Sequence, residues 1–550
     1  MGPVDGGLTV STTGGKRIAL GLDFGTESVR ALLVDLKGVE LGSAVAGYKH
    51  GQITRTLPSN GQKLPPGFAL QHPQDWLDSS AKVVRAALKK AGRTGGDVIG
   101  IGVDFTSCTM LPALRDGTPL CMLKGFQNQM YAWPKLWKHH GAITQTEKIN
   151  RLARQRKEKW LKRYGGIIGL EWFFPKVLET LEEAPQVYDA TEVWLEAGDW
   201  FVWQLVGTSL PLSRSTCQAG YKAMWHAADG YPSRQFFSAL HPKLADVVSQ
   251  KMPGDPLAPG QSAGELCPAM AKKLGLLSGT AVSAAVIDAH AGVPGAGVAE
   301  PSTLVMVLGT SSCHMLNSRV EKVIPGVAGV VEGGILPSYF GYETGQAAVG
   351  DAFDWLRQTT NQSFSSLDKQ AAALPPGAEG VRCMDWFNGC RTPLMDGSLT
   401  GAFTGLSLNH GPQHLYRSLL EASAFGLCWI VELLRAGGVP VRRFVATGGL
   451  SHHNPLLVQI YADVLGQRII VHPSKQGPAL GAAILGVLAA GKHASGFASA
   501  STAIHAMARA KEDDPHRRAI VVRPNRAAAK TYAKLYDRYR RLADVLAKDN

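Results

Sequence analysis

Three short segments place glycine and hydroxyl residues where an apolar run stops. Asp23 closes the run at 18–22 and leads into Gly25-Thr26-Glu27-Ser28; Gly309-Thr310-Ser311-Ser312 follows the run at 304–308; Thr447-Gly448-Gly449 follows the run at 443–446. Glycine tolerates the backbone angles and the close approach that let a turn aim several N–H groups at one anion. One such turn is an ordinary hairpin. Two of them, with a strand–Gly-Gly–helix junction, suit the phosphates of a nucleotide clamped between two lobes. A carboxylate at Asp23, just before the first turn, suits Mg²⁺ held directly or through water, as phosphoryl transfer requires.

Other phosphate devices are excluded. The chain contains no G-x-x-x-x-G-K-[ST], which removes a Walker-type NTPase. Gly100-Ile101-Gly102 lies inside a strand-like run, and Gly295-Ala296-Gly297 lacks the third glycine of a dinucleotide fingerprint, so a nicotinamide enzyme is disfavoured.

The elements that must carry these turns follow from periodicity. Residues 18–22 and 29–34 read as two strands around a tight turn, and 304–308 and 313–316 repeat that pattern half a chain later. Repetition at this distance predicts two similar lobes. Residues 98–103 form another apolar strand, closed by Asp104-Phe105-Thr106-Ser107. Helical spacing marks 74–92 (Trp76, Leu77, Val83, Val84, Ala87, Leu88) and 455–465 (Leu456, Leu457, Ile460, Val464, Leu465), and Gly477-Pro478-Ala479 opens a helix over 480–488. Strands alternating with helices predict an α/β fold. The polar, Ala/Pro-rich stretch 361–376 reads as a surface insertion.

Composition narrows the class. With 550 residues, 45% hydrophobic, 18% charged and 62 Gly, the chain predicts a large core with many turns rather than disorder. It has no apolar run long enough to span a bilayer. The Gly/Thr-rich residues 1–16 read as a disordered lead-in, not a secretory signal. The eight Cys form no C-x-x-C pair, which predicts reduced thiols, a cytoplasmic protein and no structural zinc. The net charge of +13 is uneven: residues 148–163 carry eight basic residues against one acid. That run suits a solvated helix face or an anion site. Its one aromatic residue, Trp160, is no stacking platform, so no nucleic-acid partner is expected, and no membrane partner either.

The opening segment, Ile18-Ala-Leu-Gly-Leu-Asp-Phe-Gly-Thr-Glu-Ser-Val-Arg30, resembles the FGGY carbohydrate kinases of the actin-like ATPase superfamily. Several stretches resemble the ribulokinases within that family: Gly102-Val-Asp-Phe-Thr-Ser-Cys-Thr109, Leu136-Trp-Lys-His-His140, Tyr164-Gly-Gly-Ile167, Glu171-Trp-Phe173, Ala219-Gly-Tyr-Lys222, Asp385-Trp-Phe-Asn-Gly389 and Arg391-Thr-Pro393. The resemblance spans about residues 17–540. It implies two RNase H-like lobes, 17–298 and 299–550, with the active site in the cleft between them. It implies ATP and Mg²⁺ as cofactors, a ketopentose as small-molecule substrate, and conversion of L-ribulose to L-ribulose 5-phosphate in pentose (arabinose) catabolism.

The resemblance also assigns residues. Asp288, in Val286-Ile-Asp-Ala-His-Ala-Gly292, matches the segment carrying the catalytic base; a carboxylate in hydrogen-bond reach can take a sugar hydroxyl's proton as the phosphoryl arrives. By its position alone Asp288 equally suits a helix cap. Lys222, Glu343 and Ser107 match sugar contacts, although Thr106 or the backbone could serve in place of Ser107. Trp137 matches a sugar-facing wall, and a buried structural Trp is an equal reading. Asp104 reads as a structural carboxylate or a rival base. Thr26 and Ser28 match the first phosphate turn, Gly309 and Thr310 the second, Gly448 and Gly449 the adenosine motif, Gly350 a position near the ribose or base, and Asn454 a polar position near the base. His452 and His453, just before Asn454, depart from the family pattern. A kinase for D-ribulose or xylulose, and a sugar-independent actin-like ATPase, are the alternatives; a homodimer stays open.

Overall fold

The computed structural model describes residues 17–510 and 518–548; the lead-in expected at 1–16 lies outside the described residues. The first two apolar runs become β1 (Ile18–Phe24) and β2 (Ser28–Asp35), an antiparallel hairpin, with β3 (Glu40–Gly47) antiparallel beyond it. Helix Pro73–Ala91 buries Trp76, Val83, Val84, Ala87 and Leu88 and stops at Gly92, φ 58°, a left-handed cap that glycine adopts without a steric penalty. The chain then returns as β4 (Val98–Phe105), parallel to β1. Two side ladders follow, β5 (Met110–Ala113) with β6 (Val193–Glu196), and β7 (Ser213–Ser215) with β8 (Asp255–Leu257). β9 (Ser262–Glu265), β10 (Ala281–Ser283) and β11 (Val286–Ile287) complete the first sheet: β10 and β11 both run parallel to β4, and β9 pairs antiparallel with β10.

The second sheet repeats the plan. β12 (Thr303–Leu308) and β13 (Ser312–Ser318) form a hairpin, and β14 (Gly329–Glu332) and β15 (Phe340–Gln346) extend it antiparallel. After a side ladder of β16 (Arg382–Met384) and β17 (Ala402–Thr404), β18 (Arg443–Thr447) joins β12 in parallel, followed by β19 (Ile469–Val471), parallel, and β20 (Ile520–Val522), antiparallel. The sheet orders are β3-β2-β1-β4-β10-β9 and β14-β15-β13-β12-β18-β19-β20. Each therefore holds a three-stranded meander (β3-β2-β1; β15-β13-β12) joined through its innermost strand to two parallel strands. The expected duplication into two α/β lobes is present.

Between the sheets lie two helices, Asp288–Gly295 and Gly477–Ala489. They share a buried core with Ala19, Leu32 and Val34 of the first sheet and Val305, Met315 and Val445 of the second. Helix Gly477–Ala489 belongs to the second half of the sequence but lies against β1 and β4. The contact is backbone to backbone. A Cβ on Gly21, Gly100 or Gly102 would overlap the carbonyl of Ala479, Gly486 or Ala482, and one on Gly295 or Gly481 would overlap Gly477 or Ala291. The Gly-x-Gly pairs that fail as nucleotide fingerprints are thus packing glycines. Gly102→Ala should cost about 3 kcal/mol, the upper end of overpacking penalties, read as a lower thermal midpoint; a wild-type midpoint would contradict this close approach.

One expectation needs correction. The supposed insertion at 361–376 contains helix Phe364–Ala373, capped by Ser363, and its Leu367 and Ala371 are part of the second lobe's core. The basic run at 148–163 is a solvated face, as read: Arg151, Arg154, Arg156, Lys157, Lys159 and Lys162 are exposed, Lys148 pairs with Glu182, Arg156 with Glu158, and Arg163 with Asp229 and Glu321, while Trp160 is buried. No single helix among the described residues is long and apolar enough to cross a membrane.

Candidate active site

The parallel strands deliver the site at their carboxyl ends, where open α/β sheets bind ligands. Phe24 pairs with Phe105, and Phe105 with Ile287. The turn after β1, the Thr106–Ser107 loop and Asp288 therefore leave the first sheet at one level. On the second sheet the turn after β12 and the Gly448–Gly449 junction after β18 do the same, because Val307 pairs with Thr447.

The two turns expected to hold phosphate are each closed by a glycine N–H. Gly25 N–H donates to Ser28 O at 3.0 Å, and Gly309 N–H to Ser311 O at 3.1 Å. The second turn is braced by helix Gly350–Thr359: the N–H of Gly350 donates to Gly309 O, and those of Val349 and Asp351 to Thr310 O. A Cβ at Gly350 would stand 2.7 Å from Gly309 O, so glycine is needed there for close packing against the turn. Gly448 has φ 91°, and Gly449 beside it is exposed. Thr310 is exposed, and Thr26 and Ser28 are half-buried. These residues offer backbone N–H groups and hydroxyls to an anion. Trp137, 38% exposed, donates its indole N–H to Thr26 Oγ1 at 3.0 Å. The expected sugar wall is thereby tied to the first phosphate turn.

Three carboxylates converge. Asp23 and Asp104 are register partners on β1 and β4. Asp23 pairs with Arg30 at 2.9 Å, yet its burial raises its pKa against that charge. Asp104 is 0% exposed and raised well above the carboxylate range, by burial and then by the charges of Asp23 and Asp288. Burial and the two neighbouring carboxylates thus favour its neutral form, and neither of its oxygens has a hydrogen-bond partner. The structure favours its structural reading over that of rival base. Asp288 opens helix Asp288–Gly295, whose cap is Ile287, and its Oδ1 accepts from Ala289 N–H at 2.6 Å. Withdrawal from water pushes Asp288 up to about 7; the Ala289 N–H and Lys222 oppose this, and Asp23 and Glu343 add to it. That is a carboxyl poised near neutral pH, as a general base should be.

Lys222, at the end of helix Thr216–Lys222 in the first lobe, crosses to Glu343 on β15 in the second, with Nζ–Oε1 at 2.9 Å and both side chains buried. Burial favours neutral Glu343, but Lys222, Arg391 and His290 outweigh it and hold the carboxyl well below its usual range. Lys222 is raised in turn, Glu343 overcoming its burial, and it also sits over the Trp172 ring, 5.5 Å from the centroid. Ser107 is half-buried on the adjoining loop, its Oγ 3.4 Å from Cys108 Sγ.

The fold adds residues to this site that received no role from sequence. Arg391 donates to Glu343 and, at 3.6 Å, to Cys313 Sγ; His290 lies 3.3 Å from Glu343. Both stand inside segments that resemble the family, and that was their one sequence signal. Asn454 takes a different part from the expected one. Its Oδ1 accepts from Leu457 N–H, and its Nδ2 donates to Asp368 and Tyr416, so the side chain braces a helix start rather than offering itself to a base. Asn454→Ala should cost about 1–2 kcal/mol of stability and leave the KM for ATP unchanged; a large rise in that KM with a wild-type thermal midpoint would restore the nucleotide contact.

Among the described residues, one other group has metal-ligating composition, His50, His72 and Asp75. His72 Nδ1 accepts from Gln74 N–H, and His50 donates through its backbone N–H to Asp75 and shares a ring hydrogen bond with it at 2.9 Å. These bonds tie the group to the start of helix Pro73–Ala91.

The comparisons with known proteins agree with this geometry. Residues 18–295 match the N-terminal domain of the FGGY family of carbohydrate kinases, and residues 304–490 its C-terminal domain. A ribulokinase of Anoxybacillus flavithermus is 44% identical over 97% of this chain and 95% of its own length. A ribulokinase of Shouchella clausii is 45% identical over 97% and 96%. Among solved structures, a xylulose kinase from Rhodospirillum rubrum superposes with a TM-score of 0.78 at 24% identity, covering 97% of this chain and 99% of that one, a likeness of fold. Two matched domains, one per sheet, around a cleft that brings the turns after β1 and β12 together with the half-buried Asp288 and the buried Lys222–Glu343 pair, make this chain a sugar kinase belonging to the FGGY family of carbohydrate kinases.

Proposed function

We propose that this kinase transfers the γ-phosphoryl group of ATP to the 5-hydroxyl of L-ribulose, with Asp288 as general base. The observation that carries the reading is the setting of Asp288: a carboxyl poised at about 7 within the field of the Lys222–Glu343 pair. The relatives named ribulokinase, at 44% and 45% identity over 97% of the chain, support the choice of sugar.

Lobes at 17–298 and 299–550 fit this reading, with helix Gly477–Ala489 crossing back to the first. Lys222, Glu343, Ser107 and Trp137 orient the sugar in the cleft, where charge-assisted hydrogen bonds are strong. Asp288 accepts the hydroxyl proton as the new O–P bond forms. The turns at Thr26–Ser28 and Gly309–Thr310 hold the phosphates through N–H groups and hydroxyls; Gly449 leaves room for the nucleoside, and Gly448 and Gly350 let their backbones pack close to β12 and the second turn beside it. Asp23 and Asp288 offer the hard oxygen donors that Mg²⁺ prefers, and the buried oxygens of Asp104 beside them have no hydrogen-bond partner within the protein. When bound, Mg²⁺ neutralises charge on the phosphates.

A coupled ADP-release assay with Mg-ATP tests this, comparing no sugar, L-ribulose, D-ribulose, both xyluloses and glycerol. ADP released fastest with L-ribulose supports the proposal. Faster release with another ketopentose would reassign the substrate, and equal release without sugar would make the chain a stand-alone ATPase.

A further inference from the structure

We infer that Lys176 is a positioning residue that clamps two separate sugar-facing loops together with one ammonium group. It stands in the first turn of helix Phe173–Glu183 and is 0% exposed. Its Nζ donates to Cys108 O at 2.8 Å and to Leu136 O at 2.8 Å. Cys108 directly follows Ser107, and Leu136 directly precedes Trp137. Each carbonyl thus belongs to the neighbour of a residue assigned to the sugar, and the two loops leave different elements.

Both acceptors are backbone carbonyls, not carboxylates. A buried ammonium without a direct counter-ion is costly; burial brings Lys176 down to about 8, with Cys108, Glu196 and Glu171 pulling the other way. Packing alone would favour a Met or Leu here. What the ammonium supplies is several directed donors from one atom, enough to fix two loops at once. Cys108 needs such a hold, since it is a non-glycine residue at φ 57°, a backbone state that persists where its surroundings over-determine it.

The helix that carries Lys176 is itself anchored to the second loop. Glu179 accepts from Lys135 at 2.7 Å and bonds His139 at 3.0 Å, and Lys135 also donates to Lys176 O and Thr180 Oγ1. Residues 135–139 are therefore fastened along the helix, and Lys176 extends that fastening to the Ser107 loop. Its loss lets the Ser107 loop move relative to Trp137. Residues 135–139, and with them the Trp137–Thr26 hydrogen bond, stay fastened through Glu179, and the turns rest on β1 and β12, so the nucleotide side is spared.

This inference rests on the sugar assignment of Ser107 and Trp137. The test uses the full chain with Mg-ATP and L-ribulose, or whichever sugar the panel above ranks first. Three variants are compared: Lys176→Met, Lys176→Gln, which is neutral and one atom shorter, and Leu178→Ala, a packing change on the same helix. In Lys176→Met the sugar KM should rise about 10–100-fold, as a displacement near 1 Å can cause, while the ATP KM stays within about 2-fold. Lys176→Gln should show the same split to a smaller degree and carries the test if the Met variant does not fold. Leu178→Ala should lower the thermal midpoint without moving the sugar KM. An unchanged sugar KM in the folded Lys176 variants, or an equal rise in Leu178→Ala, overturns the inference. The substrate reading fails separately, as absence of L-ribulose-dependent ADP release from the wild type; absence with every sugar overturns both.

Discussion

Asp288→Asn should lower turnover by about 10²–10⁴-fold while ATP binding persists, because the substitution keeps the side chain's shape and removes its ability to take a proton. The pH dependence gives a second readout. A base must be deprotonated, so with Asp288 at about 7 the wild-type kcat/KM for sugar should fall as pH drops below about 7 and level off above it. The variant should lose that limb along with its rate. Near-wild-type turnover in Asp288→Asn, or the same acid limb surviving in it, would remove Asp288 from the role of base. Asp23 and Asp104 are the neighbours against which the assignment is decided. Asp23 is already held by Arg30, and Asp104 is buried with its pKa raised well above the carboxylate range, which leaves Asp288 as the carboxyl poised to cycle a proton near neutral pH.

Glu343→Ala should be the most destabilising single change in the cleft, at about 3–5 kcal/mol. Breaking a buried pair strands the partner's charge, and here two cations and a histidine face one carboxylate: Lys222, Arg391 and His290. The thermal midpoint should fall, and the sugar KM should rise in whatever folded fraction remains. The double replacement Lys222→Met with Glu343→Leu should recover part of the lost stability without recovering sugar binding. That pattern separates the pair's contribution to folding from its contribution to catalysis. A Glu343→Ala protein with a wild-type midpoint would show that the pair does not join the lobes as described.

Local pattern predicted much of the scaffold. The runs ending at Asp23, Leu308 and Thr447 became β1, β12 and β18, and the turns after them fell at Gly25, Gly309 and Gly448. A parallel strand buried on both faces reads as a continuous apolar run, and a turn needs particular residues whatever surrounds it. Helix Pro73–Ala91 was legible for the same reason, from its spacing of buried residues. Helix Phe364–Ala373 was not. It buries two residues, Leu367 and Ala371, too few for a periodic signal, and the Ser363 cap is indistinguishable from loop serine until the helix is seen. Gly100 and Gly102 were legible as strand residues, but their purpose depended on a helix that starts at Gly477.

The amino-acid sequence by itself determined the turn chemistry, the repetition into two lobes and the residue types available in the cleft, because these depend on backbone angles and short-range periodicity. Tertiary structure alone decided the charge states and the partnerships. That Asp104 is pushed toward its neutral form, that Asp288 sits near neutrality, that Glu343 is held ionised by three partners and that Lys176 spans two loops all depend on groups far apart in the chain. Desolvation and Coulomb energies vary with burial and with distances of a few ångströms, and those quantities do not exist until the chain has folded.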